Sequence, residues 1–260
     1  MKKVKALVRA VKSFHALLID DRFGRYRSWE HCYRQFYGAI THKKKPTDRE
    51  LDHLSLHLGM YLASWGMYRG SSFLLQQDYR VHLDIVKEIL KPIYRPLLGI
   101  KCSNLRLKEN KRLLKQLSKI MVDYYVEKCA DANRHRQNAL RRSNRKAKRS
   151  NRKAKEFKRP SETLITKILM GTLGCTPAYD TYFIKGLKNF RFRYIHFMLD
   201  KDSKDSEESM SLNELIEFYE KNEMAFKEIS SLKLQEDNRI RYPEMKLIDM
   251  MFWREGWDHS

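Results

Sequence analysis

Apolar residues recur along this chain three and four positions apart in block after block, and no stretch alternates with period two between hairpin turns. The pattern predicts helices and no strands. Val4, Leu7, Val8, Val11, Phe14 and Leu18 mark one face of a first helix over residues 2–19. Tyr26, Trp29, Tyr33 and Phe36 place an aromatic stripe on a second, with Ser28 as the expected N-cap. Thr47, Asp48, Arg49 and Glu50 read as a capping box. The helix it opens carries Leu51, Leu54, Leu58, Tyr61, Trp65 and Tyr68 on one face and ends in the turn Gly66–Gly70. Residues 78–90 predict a further helix that Pro92 and Pro96 terminate, followed by a connector. Residues 106–129 predict a long amphipathic helix with Leu113, Leu117, Ile120 and Tyr124 on its apolar side.

The pattern then breaks. Residues 133–160 are almost without apolar side chains and contain RSNRKAK at 142–148 and again at 149–155. Such a segment buries too little surface to offset chain entropy, so it is expected to be disordered or at most a solvated helix. Periodicity returns at residue 161. Beyond an acidic loop at 200–211, Ser211 to Glu214 reads as a second capping box with Leu212, Leu215, Ile216 and Tyr219 behind it. Pro243 stands at an expected N1 position before Met245, Ile248, Met251 and Phe252. The expected architecture is therefore mostly α: a helical lobe over 1–132, a basic linker over 133–160 and a second helical lobe over 161–260.

The net charge of +21 over 260 residues changes the picture more than any other compositional fact. A surplus of that size attracts polyanions. Because the basic residues mix with aromatics and do not form one isolated amphipathic helix, nucleic acid is the expected partner, ahead of an anionic membrane surface. Cys32, Cys102, Cys129 and Cys175 lack any Cys-x-x-Cys spacing, which supports neither a zinc ribbon nor a disulfide framework. Lys5, Arg9 and Lys12 interrupt the apolar N-terminus, and no run reaches spanning length. A cytoplasmic protein without a membrane segment, metal or cofactor is expected.

The candidate chemistry concentrates in residues 161–194, where Asp180 is the only carboxylate between Glu162 and Asp200. A carboxylate in so basic a region fits two roles. It can cap the helix that begins at Thr181. It can also stabilise positive charge developing on a sugar whose bond to a base is breaking, and orient water for attack. Lys167 is the candidate amine, a nucleophile where its pKa is lowered. An enzyme of that kind extrudes its nucleotide and fills the gap with a wedge, for which Tyr179, Tyr182 and Phe183 are candidates. Lys185, Lys188, Arg191 and Arg193 alternate with aromatics in the run that follows and are expected to meet phosphates, as is Arg69 in the earlier glycine turn.

Thr166, Lys167, Ile168 and Leu169, then Gly174, Pro177 and Asp180 followed by aromatics, resemble the late segment of the helix-hairpin-helix DNA glycosylases. The resemblance covers about residues 161–190. It implies an all-α fold of two lobes, Asp180 as the catalytic carboxylate, Lys167 where bifunctional members keep their lysine, and double-stranded DNA as partner. It implies excision of a damaged or modified base, in repair or in defence against modified phage DNA. The chain departs from the family's pattern in three respects: no glycine stands in Lys158–Glu162, both Ala178 and Tyr179 separate Pro177 from Asp180, and the distance from the helix to Asp180 is shorter than in most members. A monofunctional enzyme is the expected form.

Two other readings stay open. Arg25 and His31 are spaced as in the motif of the all-helical HEPN ribonucleases, with RNA as substrate, and the central stretch also suits a binding protein without catalysis. His53 and His57 lie one helical turn apart, but no third ligand is placed to complete a metal site.

Overall fold

The computed structural model describes residues 2–42, 44–146, 156–192 and 211–260. Helices supply the regular structure; among the described residues the only strand-like pairing is one antiparallel bridge between Lys233 and Arg241. Helices α1 (Lys2–Asp20) and α2 (Ser28–Thr41) follow the first two stripes. Leu7, Val11, Phe14 and Leu18 are buried on α1, and Trp29, Tyr33 and Phe36 on α2, so the aromatic stripe of α2 is core. Ser28 is not the cap expected of it. A 3-10 turn at Arg25–Arg27 runs straight into α2, and the Ser28 hydroxyl donates to the Arg25 carbonyl instead.

The capping box of α3 (Asp48–Ser64) forms as expected, with Thr47 Oγ1 accepting from the Glu50 N–H and the Glu50 carboxylate accepting from the Thr47 N–H at 2.7 Å. These bonds hold the Glu50 carboxyl below its usual range. Asp78 caps a 3-10 turn at Tyr79–His82 that leads into α4 (Leu83–Ile89). Pro92 then opens a 3-10 segment, Pro92–Leu97, inside the expected connector, because a proline in the first turn forfeits no needed donor. After α5 (Cys102–Leu105) comes α6 (Lys108–Lys146), 39 residues long and so about 58 Å from end to end.

Helix α6 continues through the first half of the expected linker. Beyond Ala132 no residue through Ser143 is buried, so this stretch is a solvated helix. The chain returns to it at Phe157, whose backbone exchanges hydrogen bonds with the Asn133 amide and whose ring lies 4.7 Å from the Arg136 guanidinium. Residues 147–155, with the rest of the tandem repeat, lie outside the described residues.

The remaining helices are α7 (Glu162–Thr172), α8 (Thr181–Asn189), α9 (Ser211–Lys221), α10 (Glu223–Ser230) and α11 (Glu244–Asp258). Pro243 is the N-cap of α11, one position earlier than expected. The acidic loop and the Ser211 side chain of the second expected capping box lie outside the described residues.

Residues from both halves of the chain join one hydrophobic core. Helix α11 packs on α8 and α1, and α7 packs on α2, α3 and α6. The reason is visible in α7, where Glu162 and every residue from Leu164 to Thr172 are buried. A helix covered on all sides needs neighbours on all sides, and the N-terminal helices provide them.

Candidate functional site

The site is built by the chain leaving α7. Ser161 caps that helix, its hydroxyl accepting from the Leu164 N–H. Gly174 ends it at φ +61°, where a Cβ would lie 2.6 Å from the Pro243 ring. Cys175 to Tyr179 are all buried, so their backbone groups need partners inside the protein. The Ala178 N–H donates to the Asp249 carboxylate at 3.0 Å and the Tyr179 N–H to Thr166 Oγ1 at 3.0 Å. The Thr163 hydroxyl donates to the Tyr179 carbonyl at 2.9 Å. Asp249 is itself held by Lys246 in a buried pair at 2.8 Å. The loop that delivers Asp180 is thus bonded from α7 on one side and α11 on the other.

Asp180 then divides its two oxygens. Oδ1 caps α8, accepting from the Tyr182 and Phe183 N–H groups at 3.2 and 3.1 Å. Oδ2 accepts from Lys167 Nζ at 2.9 Å. The lysine side chain is 3% exposed and the aspartate 14%, and Lys167 Nζ also sits 4.7 Å from the centre of the Trp65 ring. Capping therefore uses half of the carboxylate and orients the other half.

The pair lies in the wall of a cleft of about 480 Å³. Trp65, Tyr182, Trp253 and Trp257 supply its aromatic lining, and Arg25 and Arg69 add two further cations. Trp253 and Trp257 stack at 5.3 Å with 11° between their planes; Trp65 and Tyr182 meet Trp253 edge-on at 5.7 and 5.6 Å. Two glycines permit this. A Cβ on Gly256 would stand 1.9 Å from the Tyr182 carbonyl oxygen, and one on Gly186 would stand 1.9 Å from that of Phe252, so α8 and α11 touch backbone to backbone. Gly66 at φ +74° lets the Arg69 guanidinium fold back across the turn, where a Cβ would meet its Nε at 2.8 Å. The Nε1 groups of Trp65 and Trp253 are enclosed and without a hydrogen-bond partner.

Among the residues singled out from sequence, the structure brings together Lys167, Asp180, Tyr182 and Arg69. Tyr179 and Phe183, expected as wedge or pocket wall, are 1% and 0% exposed. They pack on each other and, through Phe183, on Phe252. Tyr179 belongs to the buried loop before the Asp180 cap and Phe183 to the buried face of α8, whereas Tyr182 lines the cleft. Lys185 and Lys188 are exposed on α8, Lys185 lying over the Tyr182 ring at 5.7 Å. Phe190 and Phe192 pack on Phe252 while Arg191 between them faces solvent, at φ 63° in the left-handed exit of α8. Arg193 lies outside the described residues.

Trp65, Trp253 and Trp257 are cleft residues that the sequence pattern did not single out, nor did it single out Gly256, which lets α11 approach α8 beside them. Trp65 reads as one more position in the stripe of α3. The other three form Trp253-x-x-Gly256-Trp257, two indoles one turn apart beside a glycine, a usable signal that sits more than seventy residues from Asp180. Arg25 also belongs here, its guanidinium 5.6 Å from the Trp65 ring. His31 does not line the cleft and lies 3.8 Å from the Glu236 carboxylate.

His53 and His57 line a different cleft, and among the described residues no group of three or more His, Cys, Asp or Glu is placed to hold a metal. All four cysteines are buried and unpaired. No helix among the described residues is long and apolar enough to cross a membrane. No protein-family model, no curated protein and no solved structure matches the chain.

Proposed function

We propose that the chain is a monofunctional DNA glycosylase that extrudes a damaged or modified base and hydrolyses its N-glycosidic bond, in repair or in defence against modified phage DNA. The observation that carries this reading is the Lys167 and Asp180 pair set in an aromatic cleft with two arginines. The cleft volume falls within the range of about 300–1,000 Å³ usual for small-molecule sites. An extruded base stacks on the indoles, and Arg25 and Arg69 meet the flanking phosphates. Asp180 faces the sugar, stabilises its developing positive charge and orients the attacking water. Lys167 acts as a positioning residue that keeps Oδ2 aligned. The reading assigns no cofactor.

On this reading the cleft is the junction of two lobes, one giving Arg25, Trp65 and Arg69 and the other Lys167, Asp180, Tyr182 and Trp253. The order of lysine-bearing helix, proline turn and aspartate supports the helix-hairpin-helix likeness. The wedge role is reassigned to Phe23, which is 93% exposed two residues before Arg25, an unusual position for a large apolar ring.

The test is alkaline cleavage of end-labelled duplexes carrying a panel of damaged and naturally modified bases, with wild type beside Asp180→Asn. Asparagine keeps the cap and removes the charge. Alkali-labile sites made by the wild type alone are expected; equal base release by the variant overturns the mechanism.

A further inference from the structure

A larger concavity lies away from Asp180. The end of α2, the turn after it and the first half of α3 enclose a cleft of about 880 Å³. Its lining holds five permanent cations, Arg34, Lys44, Lys45, Arg49 and Arg239, against the carboxylates of Glu50 and Asp237. Both carboxylates are already engaged. Glu50 is held by Thr47 in the capping box, and Asp237 accepts two hydrogen bonds from the Arg239 guanidinium at 2.9 and 2.7 Å. Among the described residues no ion pair involves Arg34, Lys44, Lys45 or Arg49. Arg34 Nε is enclosed without a partner, and one of its terminal nitrogens only reaches the Glu236 carbonyl at 3.5 Å. Five cations against two carboxylates leave the concavity with a positive surplus, which raises the local concentration of anions.

We propose that this cleft is a second binding site, taking a run of phosphates in the sugar-phosphate backbone of DNA. Arginine forks match phosphate oxygens in pairs and lysines add point charges. The choice of DNA rests on the glycosylase reading and on helix α3, which borders both clefts: Arg49, His53 and His57 line the basic one, Ser64 and Trp65 the aromatic one. At about 100° per residue, His53, His57, Met60 and Ser64 fall within about 60° of one another around the helix. Met60, between the two clefts, is 61% exposed, so the same open face of α3 leads from one to the other. With a rise of about 1.5 Å per residue, the clefts are separated by about 10 Å from His57 to Ser64 and about 24 Å from Arg49 to Trp65. At about 3.4 Å per nucleotide, that is about three to seven nucleotides of backbone. One duplex thus reaches both clefts, its phosphates held in the basic one a few nucleotides from the extruded base.

The test is equilibrium binding of a labelled, unmodified duplex between 0.05 and 0.5 M NaCl, read by fluorescence anisotropy, which needs no catalysis. The variants are Lys44→Ala/Lys45→Ala/Arg49→Ala and a control Arg112→Ala/Lys115→Ala/Lys119→Ala with the same charge change on the exposed side of α6. Lys44, Lys45 and Arg49 are exposed, so the first variant keeps its fold, checked by circular dichroism. Its salt slope is expected to fall by about 2.7 and its affinity by about 100-fold at 0.15 M NaCl. The control is expected to stay near wild type. An equal loss in the control reduces the effect to overall charge and overturns the site. Unchanged duplex binding overturns it too, including the case where tripolyphosphate binds the wild type and not the triple variant, which would make the cleft a site for free polyphosphate. Failure of the glycosylase reading alone would leave the triple variant's loss of salt slope in place and show only as absent base release.

Discussion

The Lys167 and Asp180 pair in the wall of the cleft makes a quantitative prediction about stability. At 2.9 Å and an effective dielectric of about 20, Coulomb's law gives about 6 kcal/mol of attraction, most of it offset by desolvation of two buried ions. Lys167→Met leaves a carboxylate that still accepts two backbone N–H groups and retains some solvent, so the expected cost is about 2 kcal/mol. Asp180→Asn preserves the cap but strands Lys167 at 3% exposure with only the Trp65 face beside it, at an expected cost of about 3 kcal/mol. The double variant removes both charges and is expected to cost no more than Asp180→Asn alone, a coupling of about 2 kcal/mol. Urea denaturation followed by circular dichroism at pH 7 measures all four corners of the cycle. Single costs that add to within about 0.5 kcal/mol would refute the coupling and, with it, the positioning role of Lys167. In the base-release assay Lys167→Met is expected to retain partial activity and Asp180→Asn none.

Four other outcomes follow from the same geometry. Gly256→Ala, whose Cβ would stand 1.9 Å from the Tyr182 carbonyl, is expected to cost about 3 kcal/mol as overpacking, seen as a lower Tm with altered tryptophan emission. His82 is buried between the Tyr68 and Tyr125 hydroxyls, and burial pushes its pKa down from 6.5 to about 3; the unfolded chain therefore takes up a proton below about pH 6.5 that the folded chain refuses until about pH 3, and stability should fall with acidification by up to about 1.4 kcal/mol per pH unit across that window. His82→Gln is expected to remove that slope in urea titrations at pH 6.5, 5.5 and 4.5, whatever its own cost at pH 7. Thr47→Ala breaks the capping box of α3 and should lower stability by about 1 kcal/mol in the same titration. Phe23→Ala, on a ring that is 93% exposed, should leave Tm unchanged and reduce base release on duplex DNA about 10-fold, with a smaller effect on a single strand; an equal effect on both would remove the wedge assignment.

Much of the fold is legible along the chain because its causes are local. The stripes of α1, α2, α3, α6 and α11 follow from apolar spacing, and the Thr47 capping box and the Asp180 cap each involve groups within three residues of one another. The small misses are local as well: Ser28 lost its capping role to a 3-10 turn, and the connector after α4, which ends before Pro92 as expected, holds a 3-10 segment. Residues 133–146 stay helical because α6 runs on past its last core contact, tied at Asn133 to the returning Phe157.

The sequence by itself determined the main helical stripes, the Thr47 and Asp180 caps, the charge, and Asp180 and Lys167 as candidates for one site. It did not decide which aromatics face the cleft. Tyr179 and Phe183 were candidates for the site and are core, whereas Trp65 was an ordinary stripe residue and lies beside Lys167. Only tertiary structure settles such assignments, because they depend on contacts between elements far apart in the chain. The close approach of α8 and α11 at Gly186 and Gly256 brings Trp253 and Trp257 to Tyr182, and the burial of α7 on all sides brings Trp65 and Arg25 to the same cleft. Periodicity reports which face of a helix is apolar; it carries no information about which other helix that face will meet.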